Sequence, residues 1–148
     1  MRKNVSIILL FSALALVILP ACSAPQPAAN SSTAPVTVTI DAGDFYIKPS
    51  QTTFKVGVPY HFVLHNSGSV AHEVMLMPVV KADSGMSMSE MDEMALGMVE
   101  MEDFDADADG SFDVTFTKAY APGELEFACH IPGHYEAGMH TSITVTAE

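Results

Sequence analysis

The chain has 148 residues, 49% of them apolar and only 16% charged, which is material for one compact domain and excludes wholesale disorder. Its charge is lopsided: 18 Asp and Glu face 6 Lys and Arg, and setting aside Arg2 and Lys3 leaves four lysines against the same acids, a formal −14. That balance excludes non-specific nucleic-acid binding, and with it adsorption to an anionic membrane through a basic patch.

Residues 1–21 read as a lipoprotein-type signal peptide. Arg2 and Lys3 form a positive start, and residues 5–18 are apolar apart from Ser6 and Ser12. The run is short for a spanning helix and ends at Leu19-Pro20-Ala21-Cys22. A small residue before a Cys at this point resembles a bacterial lipobox, which implies lipidation of Cys22. Cleavage by an ordinary signal peptidase near Ala24, or an uncleaved anchor, are the alternatives. All three place the domain outside the cytoplasm, on the periplasmic or extracellular face of a bacterial membrane. Residues 22–35 are Ala, Pro and Ser-rich and uncharged, a composition that prefers extended chain and reads as a tether.

From residue 36 onward the pattern is β. Val36, Val38 and Ile40 alternate with Thr, and residues 52–56 form a second run closed by Gly57. Residues 60–65 end at the turn signal Asn66-Ser67-Gly68, and residues 73–80 are again apolar. Phe112, Val114 and Phe116 alternate; Leu125, Phe127 and Cys129 share one face after an Ala121-Pro122-Gly123 turn; residues 142–146 close the chain. Short strands punctuated by Gly and Pro predict an all-β Greek-key sandwich over 36–148. An insertion at about 81–109 interrupts it with ten of the 18 acids and six methionines. There Met91, Met94, Met98 and Met101 recur at helical spacing, which predicts an amphipathic helix of three to four turns.

Cysteine use is the sharpest clue. Exported domains pair their cysteines, yet with Cys22 assigned to the lipobox, Cys129 has no partner. Cys129-His130-Ile131-Pro132-Gly133-His134-Tyr135-Glu136-Ala137-Gly138-Met139 is C-x4-H-x4-M. Thiolate, imidazole and thioether are soft or borderline donors, a set that suits copper; zinc would find the thioether a poor fourth ligand. A second imidazole must come from elsewhere, and His72, at the start of the next strand after the Asn66 turn, is the best placed.

The segment Phe127-Ala128-Cys129-His130-Ile131-Pro132-Gly133-His134 with Met139, and Asn66-Ser67-Gly68-Ser69-Val70-Ala71-His72-Glu73, resemble the auracyanin and sulfocyanin group of cupredoxins, the plastocyanin/azurin-like blue copper proteins. The resemblance implies one type 1 copper with His72, Cys129 and His134 as equatorial ligands and Met139 as the axial one. It implies single-electron transfer, with a redox partner such as a cytochrome or membrane oxidoreductase. Copper buffering or delivery for tolerance is the alternative, using the same site and a secondary Cu(I) set at Met86, Met88, Met91 and Met94. Packing of the methionine stripe over the sandwich explains those residues equally simply. Oxidase activity is not expected, because the chain has no His-x-His pair for a trinuclear cluster. His61 and His65 read as structural or solvated, and residues 105–110 as a solvated acidic turn, since a calcium loop would need Glu where Phe116 stands.

Overall fold

The computed structural model describes residues 34–80 and 84–147. The signal segment, Cys22 and nearly all of the tether lie outside the described residues. Among the described residues, nine strands build two sheets. The first carries β2 (Tyr46–Pro49), β1 (Val36–Gly43), β4 (Pro59–Asn66) and β7 (Asp109–Thr115) in that order. The second carries β3 (Thr53–Lys55), β9 (His140–Thr146), β8 (Tyr120–Ala128), β5 (Val74–Pro78) and β6 (Gly97–Val99). Parallel pairing of β1 with β4 and of β3 with β9 closes the expected Greek-key sandwich.

Period-two alternation decides which side chains enter. On β4, Tyr60, Phe62 and Leu64 are buried whereas His61, Val63 and His65 point outward. Phe54, Phe62 and Phe127 meet edge-on at 5.4–6.5 Å between the sheets. Each such fully buried ring contributes about 1.5–3 kcal/mol through removal from water.

The strand β5 is buried on both faces. Val74 and Leu76 enter the main core, while Met75 and Met77 enter a second, smaller layer outside the sheet. That layer is the insertion: Met86, Met91, Met94 and Met98 pack on Met75, Met77 and Val80. The three-to-four-turn helix expected here is not what forms. Helix α1 spans only Met88–Asp92, opened by a capping box in which Ser87 and Glu90 satisfy each other's backbone N–H. The chain then turns, Leu96 N–H donates to the Leu76 carbonyl at 2.7 Å, and β6 pairs along β5. The exposed backbone edge of β5 needs partners, and this outweighs a helical periodicity whose propensity is weak. Gly97 permits the closure, since the Phe112 ring lies where its Cβ would be. Two smaller differences follow. Strand β2 falls where no run was expected, and the Ala121-Pro122-Gly123 turn is a bulge within β8 rather than a break between strands.

Candidate metal centre

The donors come from two loops at one end of the sandwich. His72 ends the loop that follows β4, and buried Asn66 shapes that loop. The Asn66 amide donates to the carbonyls of Val70 and Phe104, each at 2.9 Å, with the Asp105 carbonyl at 3.0 Å, and its own oxygen accepts from Gly68 N–H. His72 N–H donates to the Phe104 carbonyl at 3.1 Å. A Cβ on Gly68 would lie 2.7 Å from both His72 Nε2 and Asp44 Oδ1, so only glycine lets the loop close over the imidazole. The second loop runs from Cys129 to Met139 and is tied across its neck. Cys129 N–H donates to the Met139 carbonyl, and Met139 N–H to the His134 carbonyl, both at 3.0 Å.

These constraints bring donor atoms of His72, Cys129 and His134 within 4.8 Å of one another. His134 Nδ1 lies 3.2 Å from His72 Nδ1 and 3.5 Å from Cys129 Sγ. Met139 is fully buried at the foot of the same loop. Two imidazole nitrogens so close either share one proton or turn both lone pairs toward a cation. Burial, with His134 nearby, holds the His72 imidazole below its usual range, so it is neutral and its lone pair is free. Burial pushes the Cys129 thiol up to about 11, so a bound cation must displace its proton. His72 Nε2, 3.4 Å from Asp44 Oδ1, is not aligned for a hydrogen bond with it. Asp44 is itself held by Ser69, whose N–H and hydroxyl donate to it at 3.0 and 2.7 Å and lower its carboxyl. Asp44 therefore places negative charge behind the His72 ring nitrogen remote from the other donors, without a hydrogen bond that would fix the ring. A buried thiol, two imidazoles and a buried thioether fit copper.

Other candidates separate clearly. His61 and His65 sit on the outer face of β4, paired across the ladder with Asp113 at 2.7 Å and Asp109 at 2.9 Å, as structural, solvated residues. Asp105 to Gly110 turns directly into β7. The secondary set divides: Met86 and Met91 line a cleft with His130, Met88 lines another with Met98 and Met101, and Met94 packs in the outer layer.

Several contacts here escaped the sequence reading. Phe45, 54% exposed and at φ 67°, meets the His134 ring edge-on at 5.8 Å; nothing in its sequence context signals this. His130, Tyr135 and His140, each following one loop donor, stack as a column at 4.8 and 4.5 Å. Beneath it Tyr135 OH donates to buried Glu126 at 3.0 Å, and His130 N–H donates to buried Glu73 at 2.7 Å. Desolvation raises both carboxyls above their ordinary range.

Residues 34–146 match the family model of copper binding proteins of the plastocyanin/azurin family. The chain is 32% identical to the copper-resistant cuproprotein CopI of Pseudomonas aeruginosa, over 82% of this chain and 80% of that protein. It is 36% identical to the protein of the same name from Rubrivivax gelatinosus, over 66% of this chain and 58% of that one. Auracyanin from the photosynthetic bacterium Roseiflexus castenholzii shares the fold, with a TM-score of 0.55 at 18% identity over 77% of this chain and 99% of its own. The chain therefore belongs to the plastocyanin/azurin family of copper-binding proteins, a cupredoxin whose cofactor is a single copper.

Proposed function

We propose that this cupredoxin works in copper tolerance in the cell envelope, holding its copper through His72, Cys129 and His134 with Met139 as the weak axial donor. The convergence of three donors within 4.8 Å carries the assignment of His72, Cys129 and His134, and the loop spacing and burial of Met139 support it as the axial donor. The names of the two curated relatives favour tolerance over the carrier role. Bound copper would supply a one-electron Cu(I)/Cu(II) couple. The protein's part is to hold the donors in place through Asn66 and the loop-neck hydrogen bonds and to keep the thiol dry. With no His-x-His pair in its sequence to hold a trinuclear cluster, it acts in this reading as a binding protein. Export and a lipid tether at Cys22 complete the proposal; release of the protein from the detergent phase in Cys22→Ser tests that part.

A second reading, single-electron transfer to a cytochrome or membrane oxidoreductase, draws on one observation. His134 is half-buried beside exposed Phe45, so its imidazole edge reaches an apolar surface where a partner could dock.

Copper titration followed by visible absorption tests the site. Cys129→Ser should abolish the thiolate-to-copper band and His72→Ala should distort or lose it, whereas His61→Ala and His65→Ala leave it unchanged. Bleaching by His65→Ala with His72→Ala unaffected would overturn the assignment. Copper sensitivity of a deletion strain with normal electron transport supports tolerance; the reverse phenotype supports the carrier.

A further inference from the structure

The outer methionine layer opens beside the copper loop as a cleft of about 140 Å³. Met86 and Met91 line it from the insertion, and His130, Tyr135 and Glu136 from the loop. His130 Nε2 is closed off from solvent and has no hydrogen-bond partner among the described residues. A buried ring nitrogen without a partner is rare and calls for a ligand. The ring cannot swing away readily, because it lies flat on Tyr135 at 4.8 Å and 12° and its backbone N–H is bound to Glu73. Met86 and Met91 are likewise held, since both pack against the layer of Met75, Met77 and Val80.

We infer that His130, Met86 and Met91 form a second metal site that takes Cu(I), separate from the centre at Cys129. The reasoning is one of donor chemistry. One imidazole and two thioethers are neutral and soft, a set for a monovalent soft cation; zinc favours thiolates, several imidazoles or carboxylates, and calcium favours oxygen. Glu136 on the rim contributes the negative charge that draws a cation in. Thioethers also survive an oxidising compartment in which a free thiol pair would form a disulfide. This site deepens the tolerance reading, because a protein that only carries electrons needs one copper.

The test keeps the two sites distinguishable. The full chain is titrated anaerobically with Cu(I) against a chromophoric Cu(I) chelator, then desalted and reoxidised so that the thiolate band reports the Cys129 centre. Wild type should take two equivalents, the second more weakly. His130→Phe, which keeps a ring to stack on Tyr135, and Met86→Leu with Met91→Leu should each take one and keep the band. One equivalent in wild type, or two in both variants, overturns the second site and leaves the first untouched. Should a variant lose the band through misfolding, methyl NMR of wild type decides. The second Cu(I) should shift the Met86 and Met91 methyls and leave those of Met88 and Met101 in place; the opposite pattern overturns the assignment.

Discussion

The loop from Cys129 to Met139 and the insertion between β5 and β7 are both rich in sulfur and lie side by side, yet they are built on different terms. In the loop, spacing is function: each donor sits where a backbone hydrogen bond fixes it, so C-x4-H-x4-M translates directly into three-dimensional position. In the insertion, spacing misleads. Met91, Met94, Met98 and Met101 look like one helical stripe, but α1 stops at Asp92, Met98 lies on β6 opposite Met75, and Met101 is 42% exposed in a short 3-10 turn. A loop closed on itself carries its geometry locally. A cover takes its geometry from what it covers, here the edge of β5 and the outward side chains Met75 and Met77.

The strongest way to break that contrast is to remove what the insertion covers. Met77 is fully buried on the outer face of β5. Met77→Ala should cost about 2–5 kcal/mol in chemical denaturation, while Met77→Leu costs less than about 1.5 kcal/mol. Exposed Met101→Ala should stay within about 0.5 kcal/mol. The copper band should be unchanged in all three. A Met77→Ala cost as small as that of Met101→Ala would mean that the insertion is a loose flap rather than a second core.

A smaller effect should appear where the two regions join. Asn66 ties the His72 loop to Phe104 and Asp105 at the far end of the insertion. Asn66→Ala leaves buried carbonyls unpaired and should cost about 1–3 kcal/mol. It should also change the copper band without removing a ligand, because His72 takes its position from the same Phe104 carbonyl. An unchanged band would show that Cys129 and His134 alone set the site.

What the sequence disclosed follows the same division. The sandwich was legible because Val38 and Ile40, or Phe62 and Leu64, alternate with solvent-facing residues, and the main core reads that alternation directly. The cluster of His72, Cys129 and His134 was legible because Cys129 stands at copper spacing from His134 and His72 follows the Asn66 turn. Three kinds of feature were hidden. Asp44 and Phe45 reach the site only because the β1–β2 hairpin folds up beside it, which no local motif encodes. Buried Glu73 and Glu126 look like ordinary acids in a chain that has many, and their burial depends on the column of His130, Tyr135 and His140 and on the insertion. Strand β6 is three residues of an edge whose only signal is a glycine.

Glu126 offers the subtlest test, since it belongs to both regions. It pairs in register with Met77 across β5 and β8, and it accepts from Tyr135 OH, next to His134. Tyr135 is pushed up to about 12, so its hydroxyl remains a donor across the working range. Burial raises the Glu126 carboxyl above its ordinary 4.5, the hydrogen bond from Tyr135 opposing this in part. Folding therefore favours the protonated acid: its contribution is complete below the ordinary value and is lost as pH rises through the raised one. Glu126→Gln keeps the shape and an accepting oxygen but cannot ionise. In copper-free protein the variant should gain nothing over wild type near pH 4, then gain progressively as pH rises, levelling off once wild-type Glu126 is ionised. Glu73, whose carboxyl is raised in the same direction, and the lowered imidazoles of His72 and His130 are present in both proteins, so the difference isolates Glu126. Denaturation series at several pH values measure it. A gap that stays flat or narrows with pH would show that the Tyr135 hydroxyl and the nearby His140 Nδ1, 3.4 Å away, stabilise the ionised form enough to offset its desolvation.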